Sequence, residues 1–181
     1  EDLNNKEKIN LPLSLTLDSN LQYLIRKELI NAETDFHNIG SGAILMDVEN
    51  GKILSLVSLP DYDLNQRVSI SDNIYTNKIT LGVYELGSVF KTFTIAAGLE
   101  NKVVNPNTVF KNLEESLTCD KYTITEHDKL PRNLSVEQIL IRSSNIGAVR
   151  IAQKIGVEKY KNFLNTLGLL DTINFDLEEI G

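Results

Sequence analysis

The stretch from Val89 to Leu99 is apolar nearly all the way round a helix, yet it carries Lys91. A helix of that kind belongs at the centre of a domain. Lys91 then has no evident solvent face. An amine taken out of water loses the hydration that favours its charged form, so its proton affinity falls and it becomes a competent base near neutral pH. Three residues earlier stands Ser88, directly after Gly87. In a helix over 88–101, Ser88 lies in the first turn and Lys91 one turn on, on the same face. The amine can then take the proton of the hydroxyl. Ser88 is the candidate nucleophile and Lys91 its candidate general base.

The spacing alone carries little. With 12 serines and 13 lysines in 181 residues, about one S-x-x-K pair arises by chance, and Ser88 also suits a plain helix N-cap. A second stretch adds weight: Arg142-Ser143-Ser144-Asn145-Ile146-Gly147-Ala148, between two predicted helices. A hydroxyl and a carboxamide two residues apart can face one cleft from such a turn. Ser143 can pass a proton toward Lys91 or a leaving group, and Asn145 has the donor and the acceptor that grip a peptide-like amide. The competing role for Ser143 or Ser144 is to cap the helix that follows. Ser71-Asp72-Asn73 has the same S-x-N spelling but sits in a turn-rich loop, and is read as a turn.

Composition narrows the classes. A net charge of -7 and no long basic run argue against a nucleic-acid surface. One cysteine (Cys119) and two histidines (His37 and His127) allow no internal disulfide and no zinc ligand set. No stretch approaches the ~20 apolar residues of a membrane span. The opening Glu1-Asp2-Leu3-Asn4 resembles neither a signal peptide nor an initiator sequence, and reads as a boundary cut inside a longer protein.

Periodicity gives the elements. Leu11, Leu13, Leu15 and Leu17 alternate with other residues, which predicts a strand. Asp18 or Ser19 caps an amphipathic helix to about residue 35. Two apolar runs, 41–48 and 53–58, flank Asn50-Gly51, which predicts an antiparallel hairpin whose two turn residues take positive φ. Asp47 beside it is read as a turn or solvated residue. Residues 108–130 read as irregular apart from a short strand over 122–125. Ser135 opens a capping box, offset slightly from the ideal register. Helices follow from Asn145 to Gly156 and from Val157 to Gly168, with glycines where helix ends want them.

Together these residues resemble the transpeptidase domain of the penicillin-binding proteins. Ser88-Val89-Phe90-Lys91 matches the S-x-x-K mark and Ser143-Ser144-Asn145 the second mark in its S-x-N form. The wording of Gly82-Val83-Tyr84-Glu85-Leu86-Gly87-Ser88 and Arg142-Ser143-Ser144-Asn145-Ile146-Gly147 is similar to the class B, septal (cell-division) peptidoglycan D,D-transpeptidases of Gram-negative bacteria. The resemblance implies an α+β fold: antiparallel sheet strands packed on helices, with an all-helical subdomain. It implies that Ser88 attacks a stem peptide ending in D-Ala-D-Ala, Lys91 is the base, Ser143 relays protons and Asn145 binds the substrate amide. No cofactor and no metal are implied. β-Lactams would be trapped as acyl-enzymes, other division proteins would be partners, and the catalytic domain would stand in the periplasm on an inner-membrane anchor.

The third family mark, K-T-G or K-S-G, occurs nowhere in these 181 residues. The resemblance therefore implies that 1–181 is a partial transpeptidase domain without the C-terminal strands that carry it, with an open sheet edge. Such a chain alone is expected to react with penicillin slowly or not at all. The rival readings are a serine β-lactamase or β-lactam sensor, which uses the same helix-borne pair, and a non-catalytic division scaffold.

Overall fold

The computed structural model describes residues 14–63, 65–66 and 73–172. They divide into two compact units with the boundary between Val83 and Tyr84. Both mix helix and strand, which is the expected α+β class.

The first unit is built on the predicted hairpin. β1 (Ser41–Met46) and β2 (Ile53–Leu59) pair antiparallel, with Ser41 opposite Leu59 and Ala43 opposite Val57. The connection differs from the expected tight turn. Gly51 alone takes a positive φ, 75°, and the register shifts between Leu45 and Met46. Asp47 gathers the longer loop: its carbonyl accepts from the Gly51 N–H at 2.8 Å, and its carboxylate accepts from the Glu49 N–H at 2.9 Å and from Asn50 Nδ2 at 2.6 Å. A side chain able to take two bonds locally competes with the two-residue turn.

α1 (Ser19–Phe36) begins where the sequence placed it, because Asp18 Oδ1 accepts from the N–H groups of Asn20 and Leu21. The expected strand before it is not found. Leu11 and Leu13 lie outside the described residues, and Leu15 and Leu17 are exposed in extended chain without a ladder. That chain still covers the free edge of β2: the Asp18 N–H donates to Leu54 O at 2.9 Å and Thr16 Oγ1 to Ile53 O at 2.5 Å. Gln22 of α1 continues the cover. Its Nε2 donates to Leu56 O at 2.6 Å while its Oε1 accepts from the Leu56 N–H at 2.9 Å. An amide side chain thus replaces a strand partner, which is why alternation alone misled. The S-x-N spelling at 71–73 cannot be placed, since Ser71 and Asp72 lie outside the described residues.

The second unit is helix-rich, with two short ladders beside the helices. A 3-10 turn (Gly87–Phe90) runs directly into α2 (Lys91–Glu100). β3 (Val109–Phe110) pairs with a strand that follows, β6 (Leu134–Ser135), while β4 (Ser116–Cys119) and β5 (Tyr122–Thr125) form a hairpin between them. α3 (Val136–Ile141), α4 (Asn145–Ile155) and α5 (Val157–Thr166) complete it. The Ser135 capping box is in perfect register: Ser135 Oγ accepts from the Gln138 N–H at 3.1 Å and Gln138 Oε1 accepts from the Ser135 N–H at 3.0 Å. Gly156 and Gly168 take positive φ at the ends of α4 and α5, as expected.

The core of this unit is Ile95 and Ala97 of α2 against Val136 and Ile139 of α3 and Ile146 and Ile151 of α4. Thr94 and the Tyr160 hydroxyl, 2.6 Å apart, pin α2 to α5. One expectation is corrected here. α2 is covered on one side only, burying Thr94, Ile95, Ala97 and Gly98 while Leu99 is 39% exposed, and Val89 in the turn before it is 64% exposed. α3, α4 and α5 pack against it, and the burial pattern shows an all-round apolar sequence covered on one face only.

Candidate active site

Ser88 lies in the 3-10 turn and Lys91 is the first residue of α2, so the opening turn is tighter than an α-helical one. In 3-10 geometry residues three apart eclipse each other, so Ser88 and Lys91 share one face of the turn, while the hydrogen bonds of Lys91 Nζ go to Ser143 and Asn145. The Lys91 N–H donates back to the Ser88 carbonyl and holds the turn closed. Ser88 itself is exposed.

Fifty-two residues along the chain, the α3–α4 turn meets the lysine. Lys91 Nζ donates to Ser143 O at 2.5 Å, to Ser143 Oγ at 3.0 Å and to Asn145 Oδ1 at 2.5 Å. Ser143 presents both oxygens to one nitrogen because its backbone is left-handed, φ 54°. A non-glycine residue held there stores backbone strain of about 1–2 kcal/mol, and such strain collects at functional sites. The capping role falls to its neighbour: Ser144 Oγ accepts from the Gly147 N–H at 2.9 Å. Ser143 is thereby left free for Lys91.

Lys91 is half-buried, but its direction does not come from an all-apolar helix. The α3–α4 turn draws it in. Burial lowers its proton affinity below the ordinary lysine value, and the negative charge of Glu126 partly opposes that fall. An ammonium has three donors, and the three acceptors take them all. A neutral amine has two. Ser143 Oγ can then turn its own proton toward nitrogen, so the site holds both protonation states without moving a heavy atom.

Asn145 is more occupied than expected. Besides accepting from Lys91, it donates through Nδ2 to Thr125 O at 2.7 Å. One N–H and one lone pair of its amide remain for a ligand.

Sequence reasoning missed Glu126. It follows β5, and its carboxylate closes the N-terminus of α4: Oε1 accepts from Ser144 Oγ at 2.6 Å and from the Ile146 N–H at 3.1 Å, and Oε2 accepts from the Asn145 N–H at 2.7 Å. Its partners lie 18 to 20 residues downstream, so no local pattern marks it. Followed by His127 and Asp128, it reads as part of a solvated charge cluster. Among the described residues no group of three His, Cys, Asp or Glu side chains forms a metal site.

Gly147 is the tight point of the turn. A Cβ there would meet Ile139 Cγ1 at 2.6 Å and Ser144 Oγ at 2.8 Å. Gly147→Ala gains at most about 1 kcal/mol of helix propensity, against about 1–3 kcal/mol for overpacking. The variant is expected to be less stable by about 1 kcal/mol in urea unfolding, and slower in any reaction that uses Lys91, because Ser144 must shift.

Residues 41–180 match the family model described as penicillin binding protein transpeptidase domain. The probable peptidoglycan D,D-transpeptidase FtsI of Caulobacter vibrioides is 30% identical over 168 residues, which is 93% of this chain and 28% of the relative. Stage V sporulation protein D of Bacillus subtilis is 30% identical over 176 residues, 96% of this chain and 27% of the relative. Among solved structures, the transpeptidase domain of Burkholderia pseudomallei penicillin-binding protein 3 superposes with a TM-score of 0.77 at 29% identity, covering 92% of this chain and 46% of that one. The chain thus spans little more than a quarter of the length of these curated relatives.

Proposed function

This chain belongs to the penicillin-binding protein transpeptidase domain family, and from that membership we propose that the full-length protein carrying it is a serine-type peptidoglycan D,D-transpeptidase of cell division. The proposal covers the whole polypeptide, of which the 181 residues supply the nucleophile and its base. The single observation that carries it is the three-bond seat of Lys91 on Ser143 and Asn145, one turn after Ser88. Two sequence marks far apart in the chain become one constellation.

The chemistry follows from the atoms. Ser88 Oγ attacks the carbonyl between the two terminal D-alanines of a stem peptide as neutral Lys91 Nζ takes its proton. The C–N bond breaks, and the terminal D-alanine leaves with a proton passed through Lys91 and Ser143. An ester to Ser88 remains. An amine from a neighbouring stem attacks that ester, restores the Ser88 hydroxyl and forms the cross-link. Asn145 offers its remaining N–H to the substrate amide. The Ser88 N–H, at the start of a helical turn, supplies one donor for the oxyanion. A β-lactam enters the same first step and stays as an acyl-enzyme.

Partners proposed with this reading are D-Ala-D-Ala stem peptides, β-lactams and other division proteins. The catalytic domain is proposed to stand in the periplasm, anchored to the inner membrane by chain outside the described residues; no described helix is long and apolar enough to cross a membrane. Incubation of the full-length protein with a peptide ending in D-Ala-D-Ala and an acceptor amine is expected to release D-alanine and join the two. Penicillin is expected to leave a persistent label. Rapid loss of the label with release of hydrolysed penicillin would instead mark a β-lactamase.

A further inference from the structure

We propose that Glu126 is the positioning residue of this site: its carboxylate locks the Ser143–Asn145 turn against Lys91 and places a negative charge beside the lysine amine. This rests on the acyl-enzyme reading above and deepens it.

The geometry is specific. One carboxylate takes three donors from three consecutive residues, Ser144 Oγ, Asn145 N–H and Ile146 N–H, at 2.6, 2.7 and 3.1 Å. The two N–H groups are donors that α4 cannot satisfy from within its own first turn. A negative charge at a helix N-terminus is favourable in any case. Here the helix start is also the segment that seats the lysine. Ser144 is fully buried, so its hydroxyl depends on Glu126 as acceptor while it caps the Gly147 N–H. The residue before Glu126 adds a second tie, since Thr125 O accepts from Asn145 Nδ2. The end of β5 therefore grips the backbone and the side chain of Asn145 together. It adds to the backbone closure of the turn, in which the Ser143 N–H donates to Leu140 O and the Ser144 N–H to Ile139 O, both at 3.0 Å.

The charge acts on the base as well. Burial favours the neutral amine, and Glu126 favours the ammonium. On α4, Arg150 pairs with Glu114 and Lys154 lies over the Phe110 ring. Glu137 stands in the first turn of α3, and Arg142 at its end is exposed. The Tyr160 hydroxyl of α5 is bonded to Thr94. Among the described residues, Glu126 is the charged group whose field opposes the effect of burial on Lys91. Balanced in this way, the amine is a base that still has a proton to return to the leaving group.

The test is the second-order rate of acylation of the full-length protein by a fluorescent penicillin, followed across pH, for wild type, Glu126→Gln and Glu126→Asp. Glu126→Gln keeps the size, but its amide must turn a donor toward the N–H groups of α4. Leaving a buried donor unpaired slows acylation by about tenfold to a hundredfold. Losing the charge makes Lys91 easier to deprotonate, so the acid limb of the profile moves to lower pH. Glu126→Asp keeps the charge with a shorter reach, so it is slower than wild type with the acid limb unmoved. That variant and circular dichroism keep the test decisive should Glu126→Gln fold poorly. A Glu126→Gln protein within about twofold of wild type with an unmoved limb overturns the inference. So does a slower one whose limb stays in place, because Glu126 would then be a helix cap and nothing more. A wild-type protein that penicillin does not label at Ser88 overturns the acyl-enzyme reading itself, and this inference with it.

Discussion

Lys91→Ala is expected to slow penicillin acylation at Ser88 by about 10²- to 10⁴-fold, the range for removal of a general base. Lys91→Arg should be nearly as slow. A guanidinium keeps the positive charge and the donors but does not deprotonate in a protein, so it separates a base from a fixed charge. The wild-type profile supplies the sign. The ammonium cannot accept a proton, so acylation rises with pH as Lys91 loses its own. Burial brings that step below the ordinary lysine value. Both variants should therefore lose the rising limb. A stopped-flow series of acylation rates against pH checks this, and a Lys91→Arg protein within tenfold of wild type would contradict the base assignment.

Ile139→Ala is expected to have the largest effect on stability. Ile139 is fully buried among Val136, Ile146 and Ile151. Truncating a buried isoleucine to alanine costs about 2–5 kcal/mol, part lost transfer energy and part cavity. The site makes this more than a general core effect. Ile139 Cγ1 and Cδ1 fill the space beside Gly147, where an added Cβ would fall at 2.6 and 2.8 Å. Ile139→Ala empties that space, so Gly147→Ala should cost less in its background than in wild type. The double variant should be more stable than the sum of the single changes, by an amount within the usual range of about 0.5–3 kcal/mol for touching residues. Urea unfolding of the four proteins checks both the loss and the coupling.

What the sequence disclosed follows the range of the forces involved. The hairpin, α1, α4 and α5 were legible because their signals are local: an apolar period, a cap at Asp18 and glycines at 156 and 168. The edge of β2 was not, because Gln22 stands in for a strand and side-chain amides carry no period. The turn after β1 was misjudged because Asp47 organises it from outside the two turn positions. At the site, the candidate residues were readable one by one, but the grouping of Lys91 with Ser143 and Asn145 needed the fold. The sequence left open whether Ser143 or Ser144 caps α4, and the left-handed backbone at Ser143 decides it. Glu126 left no trace at all, since a carboxylate that serves a helix 18 residues away looks like any surface acid.

The most direct measurement is the site of covalent attachment. The full-length protein carrying this chain is incubated with a fluorescent penicillin, digested and mapped by mass spectrometry, beside a Ser88→Ala variant. The predicted result is one adduct, on Ser88, absent from the variant. An adduct on any other residue, or one that persists in Ser88→Ala, would contradict the account.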